Sequence, residues 1–207
     1  MTRFYIFFIF SITIYCLSCN ENDSQYLPEI ITKYKDTDST IYISGEIIIK
    51  DNIRPRDSIF SYVAYEAFIK KMVESKKYIF VPQNEFNSTF SKDKIVISLR
   101  HDIDYDVESA VRFARRENKY GIRATYFFLH SADYYAELQK GSVIRDPDVL
   151  LYMKKIQNDY KHEIGFHNDL VTLQVLYNID PGKYFNDELS WLRDNGISIY
   201  GSAYHGS

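Results

Sequence analysis

The run Ile95-Val96-Ile97-Ser98-Leu99-Arg100-His101-Asp102-Ile103-Asp104 is short, almost wholly apolar at its start, and charged at its end. Five residues with so little polar alternation read as a strand covered on both faces. Downstream the chain alternates. A helix follows, with Val107, Ala110, Val111 and Ala114 inward, Arg112, Arg115, Arg116 and Lys119 largely outward, and Gly121 as its stop. Ile122 to Leu129 is the next strand. Asp146-Pro147 caps a helix carrying Val149, Leu150, Met153 and Ile156, which leads to the strand Glu163–Phe166. Asp180-Pro181 caps another, with Phe185, Leu189 and Leu192 inward and Gly196 as its stop, before the strand Ile197–Ala203. Strand–helix repetition of this kind predicts an α/β fold with a parallel sheet or β/α barrel.

Upstream, Asp57 is placed to cap a helix whose Phe60, Val63, Ala64, Ala67, Phe68 and Met72 share one face. Before it, Ile41–Ile43 and Glu46–Ile49 read as a hairpin around Ser44-Gly45. Residues 20 to about 40 are polar, as a tether would be. Phe4 to Leu17 is an apolar run after Arg3. As a helix it rises about 21 Å, short of a hydrocarbon core of about 30 Å, which fits the apolar region of an export signal. Ser18-Cys19 then resembles a bacterial lipoprotein processing site, despite Cys16 and Leu17 in its first positions, and the acidic Asn20-Glu21-Asn22-Asp23 resembles a surface-export signal. The expected division is a signal over 1–18, a tether and hairpin over 19–56, and a catalytic-type domain over 57–207. The resemblance implies a lipid on Cys19, a membrane as partner, and the outer membrane or cell surface of a Gram-negative bacterium as location.

Composition narrows the function. Eight Gly and five Pro among 207 residues, with 19 Tyr and 14 Phe, exclude a disordered or low-complexity chain. A net charge of −3 without a basic stripe argues against nucleic acid as partner. Cys16 and Cys19 lie far from the domain and provide no disulfide framework.

In β/α folds functional groups gather at the C-terminal ends of parallel strands. Here those ends carry His101, Asp102 and Asp104, then His130, then His167, Asn168 and Asp169, then His205. Asp102 and Asp104 are two apart, so extended backbone points both to one face. Two such carboxylates repel unless a cation or proton lies between them. A carboxylate and two imidazoles from different strands form a familiar divalent-metal set, and the second carboxylate would serve as base toward a water that the ion acidifies. Simpler roles exist for several residues. Asp104 or Asp106 would cap the helix at Val107, His130 and His162 read as structural, Arg100 reads as a brace for a carboxylate, and Tyr126, Tyr134 and Tyr135 read as core or surface rather than sugar platforms.

The same residues carry a family resemblance. Ile97-Ser98-Leu99-Arg100-His101-Asp102-Ile103-Asp104 resembles the Arg-His-Asp-x-Asp variant of the first motif of the polysaccharide deacetylase (NodB-like) superfamily. Tyr120 to Phe128 resembles its next strand. His162-Glu163-Ile164-Gly165-Phe166-His167 is similar to its second motif, and Gly201-Ser202-Ala203-Tyr204-His205-Gly206 resembles the Ser-x-x-His-Gly of the same variant branch. The resemblance spans roughly residues 57 to 207. It implies a distorted β/α barrel, one divalent metal, usually zinc, and hydrolysis of N-acetyl or O-acetyl groups on an envelope or extracellular polysaccharide. Carried over, it implies Asp102 as general base and Asp104, His167 and His205 as metal ligands, with exchange of the two Asp roles left open by their spacing. Val171 stands where the family's second histidine is usual, and His205 would supply that imidazole. The family draws its general acid from a later strand. About 150 residues remain for the domain, against roughly 200 or more in complete β/α barrels, so the barrel is expected to be incomplete. A non-catalytic glycan-binding lipoprotein on the same fold and a metal hydrolase of non-sugar amides are the rival readings.

Overall fold

The computed structural model describes residues 40–43, 46–49 and 62–206. The expected signal, Cys19, the tether and the Asp57 cap lie outside these. In chain order the elements are β1 (Thr40–Ile43), β2 (Glu46–Ile49), α1 (Tyr62–Glu74), β3 (Tyr78–Phe80), α2 (Gln83–Phe86), β4 (Ile95–Ile97), β5 (Arg100–Ile103), α3 (Val107–Lys119), β6 (Thr125–Leu129), β7 (Ala136–Gln139), β8 (Ser142–Arg145), α4 (Val149–Lys154), β9 (Glu163–Asn168), α5 (Leu170–Tyr177), α6 (Pro181–Asp194) and β10 (Ile199–Tyr204). A π-type turn, Lys155–Asp159, prolongs α4. No helix among the described residues is long and apolar enough to cross a membrane.

Strands β10-β9-β6-β5 form one parallel sheet in that order. It stands open among the described residues, so the α/β class and parallel strands hold while the expected barrel closure is not seen. The strand expected over Ile95–Leu99 is divided. Ile95–Ile97 pairs with β3 in a separate parallel pair, and the chain changes partner at Ser98-Leu99, where the Leu99 carbonyl accepts from the Thr125 N–H at 3.0 Å. Arg100–Ile103 then pairs with β6. Apolar content marks a buried extended segment but carries no information on its partner, so this handover is invisible to hydropathy. As a result Arg100 to Ile103 are strand rather than rim loop, and β9 and β10 likewise run on through His167 and Tyr204.

Alternation along the strands sorts the sheet into two faces. Ile103, Tyr126, Phe128, Ile164 and Phe166 join Val107, Ala110, Val111 and Ala114 of α3 and Leu192 of α6 in the core. The opposite face carries Arg100, Asp102, Phe127, Gly165 and His167. Phe127 and Gly165 are register partners, and a Cβ on Gly165 would lie 2.3 Å from the Phe127 ring. The strand therefore needs glycine there: the ring occupies the space a side chain would take.

Two helix caps form as the sequence predicts, and a third forms outside its expectations. Asp106 accepts from the Ser109 N–H at 2.9 Å, which settles the choice of cap for α3 and leaves Asp104 unused. Asp180 accepts from the Lys183 N–H at 2.7 Å, and Gly196 ends α6 at φ +84°. The third cap, Asp169 on the Thr172 N–H, belongs to α5, a helix absent from the sequence reading, as is the β7–β8 hairpin. That hairpin is held to α6 by the Arg145 guanidinium on buried Glu188, with a 2.6 Å contact from Nη2 to Oε2.

Two expectations for helix faces are corrected. On α1, Val63 and Phe68 are exposed and Ile69 is buried, with Tyr62, Tyr65, Met72 and Val73 beside it. Polar handles fix this face: the Tyr62 hydroxyl bonds Ser109 at 2.5 Å and the Tyr65 hydroxyl donates to Glu117. On α3, Arg116 lies inward at 3 % exposure, 4.5 Å over the Tyr62 ring and 3.6 Å from Glu66. A cation stacked on an aromatic ring and paired with a carboxylate tolerates burial that hydropathy alone would forbid.

Candidate metal centre

At the C-terminal ends of β5, β9 and β10, the side chains of Asp104, His167 and His205 each offer an atom within 4.8 Å of the others. Each is positioned by its own strand end. Tyr134 ties the ends of β5 and β6 together, its hydroxyl donating to the Ile103 carbonyl at 2.6 Å and accepting from the Leu129 N–H at 3.0 Å. Burial pushes that phenol's pKa well above its ordinary value, so it stays a neutral donor. The tie fixes the backbone immediately before Asp104.

His167 is almost fully buried. Its Nδ1 faces the Ala203 carbonyl at 3.0 Å. A carbonyl only accepts, so Nδ1 carries a proton and Nε2 is the nitrogen left to ligate. Nε2 lies 3.6 Å from Asp104 Oδ1 and 3.8 Å from Asp102 Oδ2, too far for hydrogen bonds. The His205 backbone N–H donates to the Asn168 carbonyl at 2.9 Å, and its ring meets that of His167 edge-on at 5.2 Å.

Asp104 Oδ1 is a buried carboxylate oxygen with no hydrogen-bond partner among the described residues. An uncompensated buried carboxylate oxygen is costly. One carboxylate and two imidazoles, gathered around such an oxygen, suit a divalent ion of the zinc type with positions left open.

Asp102 takes a different place. Arg100 Nε and Nη2 donate to its two oxygens at 2.7 and 2.8 Å, the bracing role its position predicts. The guanidinium lies 4.9 Å from the centre of the Phe127 ring. Asp102 is thus a carboxylate held in one orientation at the edge of the cluster, with Oδ2 toward His167.

His101 does not join them. It faces α3 from the other side of β5, with Nε2 2.7 Å from Glu117 Oε1 and its ring stacked on Tyr126 at 4.5 Å. Glu117 is fully buried. Burial raises its pKa, but the charge and hydrogen bond of His101, His162 nearby and the Tyr65 hydroxyl outweigh this and hold it at about 2. The Tyr126 hydroxyl also donates to it at 2.7 Å. His162 accepts from the Ala124 N–H at 3.0 Å, and its other nitrogen faces the Ala114 carbonyl at 2.8 Å, a structural role as expected.

His130 is structural too, at the first position of the turn that follows β6. It is fully buried, stacked on Phe166, and accepts from the Asp169 N–H at 2.8 Å. Burial lowers its pKa to about 4. Val171 is 55 % exposed on α5 and is not part of the cluster. Tyr126 and Tyr135 are fully buried, and so face no ligand.

Chain comparison found no matching family model and no matching curated protein. Among solved structures, the chain is similar to IcaB from Ammonifex degensii, with a TM-score of 0.46 and 13 % identity, over 75 % of this chain and 72 % of that one. At that identity the chemistry has to be read from the side chains themselves.

Proposed function

We propose that this chain is a divalent-metal-dependent hydrolase of the polysaccharide deacetylase type, removing N-acetyl or O-acetyl groups from an envelope or extracellular polysaccharide. The observation that carries the metal is the buried Asp104 Oδ1, without a hydrogen-bond partner among the described residues, beside Nε2 of His167 and the His205 ring. The motif resemblance of Arg100 to Asp104, His162 to His167 and Ser202 to Gly206 carries the reaction class.

Asp104, His167 and His205 would hold the ion. When bound, it would supply Lewis acidity to an acetyl carbonyl, with zinc the expected metal. Asp102 would accept the proton of the attacking water. Arg100 keeps both Asp102 oxygens in one plane, so the base is oriented before substrate arrives and needs little reorganisation during reaction. Ala203 and Tyr134 hold His167 and the Asp104 backbone in the same manner.

A signal over 1–18, lipidation at Cys19 and a site at the outer membrane or cell surface remain part of this proposal. They rest on the Ser18-Cys19 processing-type sequence and the acidic residues after it.

The test is metal analysis of the purified protein with acetate release from N-acetylglucosamine oligomers and O-acetylated glycans. Stoichiometric zinc and acetate release sensitive to Asp102→Asn are expected. A second reading, a glycan-binding lipoprotein without catalysis, is favoured by Val171 at the usual histidine position. It predicts glycan binding that persists unchanged in a His167→Ala, His205→Ala double variant, without acetate release by either protein.

A further inference from the structure

His167 and His205 meet the cluster from neighbouring strands, but only His167 has its outer nitrogen on a backbone carbonyl. The outer partner of His205 is a side chain. Asp169 Oδ2 lies 4.0 Å from His205 Nδ1. This residue is fixed from three sides. The Ser131 hydroxyl donates to Oδ2 at 3.1 Å, the Thr172 N–H of α5 donates to Oδ1 at 3.4 Å, and the Asp169 backbone N–H is held by buried His130 at 2.8 Å. The His205 backbone is tied to Asn168, the residue just before Asp169. Neither Asp169 nor His205 can drift far from the other.

We infer that Asp169 is a positioning residue for His205: its Oδ2 accepts a hydrogen bond from Nδ1–H and turns the Nε2 lone pair toward Asp104 and His167. The inference rests on the metal reading above. Metal-bound histidines almost always give their second N–H to a carboxylate, carbonyl or water, which fixes the tautomer and raises ligand basicity. At 4.0 Å the contact is longer than a hydrogen bond, and the inference requires the partly exposed His205 ring to close it when metal binds. Ala203 and Asp169 would then do the same work for the two imidazoles, one through the backbone and one through a charge. Asp169 also caps α5, so a simple deletion would confuse two roles.

Asparagine separates them. In Asp169→Asn the amide oxygen still caps Thr172, while the amide nitrogen is a donor facing His205 Nδ1. It favours the tautomer protonated on Nε2, which cannot ligate. Zinc affinity, measured by competition with a chromophoric chelator, is expected to fall about 10- to 100-fold. The visible spectrum of the cobalt-loaded protein should change in band position and intensity, and the melting temperature of the metal-free protein should stay near that of wild type. Asp169→Ser, a strong helix cap that cannot reach His205, should reproduce the loss of affinity and serves if the Asn variant folds poorly. Wild-type zinc affinity and an unaltered cobalt spectrum in both variants would overturn the inference while leaving the metal centre intact. A wild-type protein that takes up neither zinc nor cobalt would overturn the metal reading, and this inference with it.

Discussion

Arg100 grips the carboxylate of the residue two positions further along its own strand, with Nε and Nη2 on the two Asp102 oxygens at 2.7 and 2.8 Å. Residues i and i+2 of a strand share a face, so one short sequence supplies both the proposed base and the group that aims it. A forked guanidinium matches a carboxylate in a way that an ammonium does not.

Arg100→Lys keeps the charge and loses the fork. A hydrogen bond to a charged group contributes about 1.5–3 kcal/mol, and each 1.4 kcal/mol is a factor of about ten. Deacetylation kcat is expected to fall about 10- to 100-fold, with bound zinc per chain unchanged. Steady-state kinetics alongside metal analysis checks this, and loss of the metal together with the rate would move Arg100 from aiming the base to building the ligand site.

The proposed ion should stabilise the fold that holds it. A ligand at a hundred times its Kd adds about 2.7 kcal/mol to a state that alone binds it. Zinc added to chelator-treated protein should raise the melting temperature of wild type. That rise should vanish in His167→Ala and shrink in Asp104→Asn. Equal zinc-dependent shifts in all three proteins would place the ion elsewhere.

Gly165→Ala sets a methyl group against the Phe127 ring, with contact at 2.3 Å unless something moves. Overpacking of this kind costs about 1–3 kcal/mol. Chemical denaturation should show a lower midpoint at unchanged slope. Because Arg100 rests on that ring, activity should fall further than stability explains. Gly165→Ala paired with Phe127→Leu, which clears the space, should recover much of the midpoint.

Acid should loosen the α3 side of the sheet. Burial lowers the pKa of His162 in the folded protein, so between that value and about 6.5 the unfolded chain binds more protons and stability falls as pH falls. Glu117 lies at about 2 when folded against an ordinary 4.5, so its contribution is present above 4.5 and lost as pH drops from there toward 2. Both act in the same direction. Urea midpoints measured from pH 7.5 down to 3 should decline from near pH 6.5 and continue to decline below 4.5. His162→Gln should lessen the decline in the upper part of this profile without abolishing it, because buried His130, lowered to about 4, acts over the same range. A wild-type midpoint constant from pH 7 to 5 would contradict the assignment.

The strand–helix order, the Asp106 and Asp180 caps and the strand-end positions of Asp104, His167 and His205 were legible because each depends on local periodicity or on one residue type at one boundary. His101 was not. Its place next to Asp102 suggests the rim, but strand alternation sends it to the opposite face, where its partner Glu117 lies 16 residues away in a different element. The exchange of partners at Ser98-Leu99 and the inward turn of Arg116 depend likewise on contacts distant in sequence. Asp169 had a detectable signal, an Asp directly after a strand and three residues before Thr172. That signal reads equally as a helix cap, and it is one. Only three-dimensional placement adds His205 to its surroundings.

Phe127 has a consequence beyond packing. Its ring fills the space where Gly165 has no side chain, 4.9 Å from the Arg100 guanidinium and 6.5 Å from the His167 ring. On that side the charges meet hydrocarbon instead of solvent. Low polarisability strengthens Coulomb forces and leaves fewer water dipoles to reorient. The ring therefore serves as an insulating floor, so the field of the cluster is screened least toward the sheet and is set on its open side by whatever ligand displaces water there. A single missing side chain, at residue 165, is what makes room for that insulator.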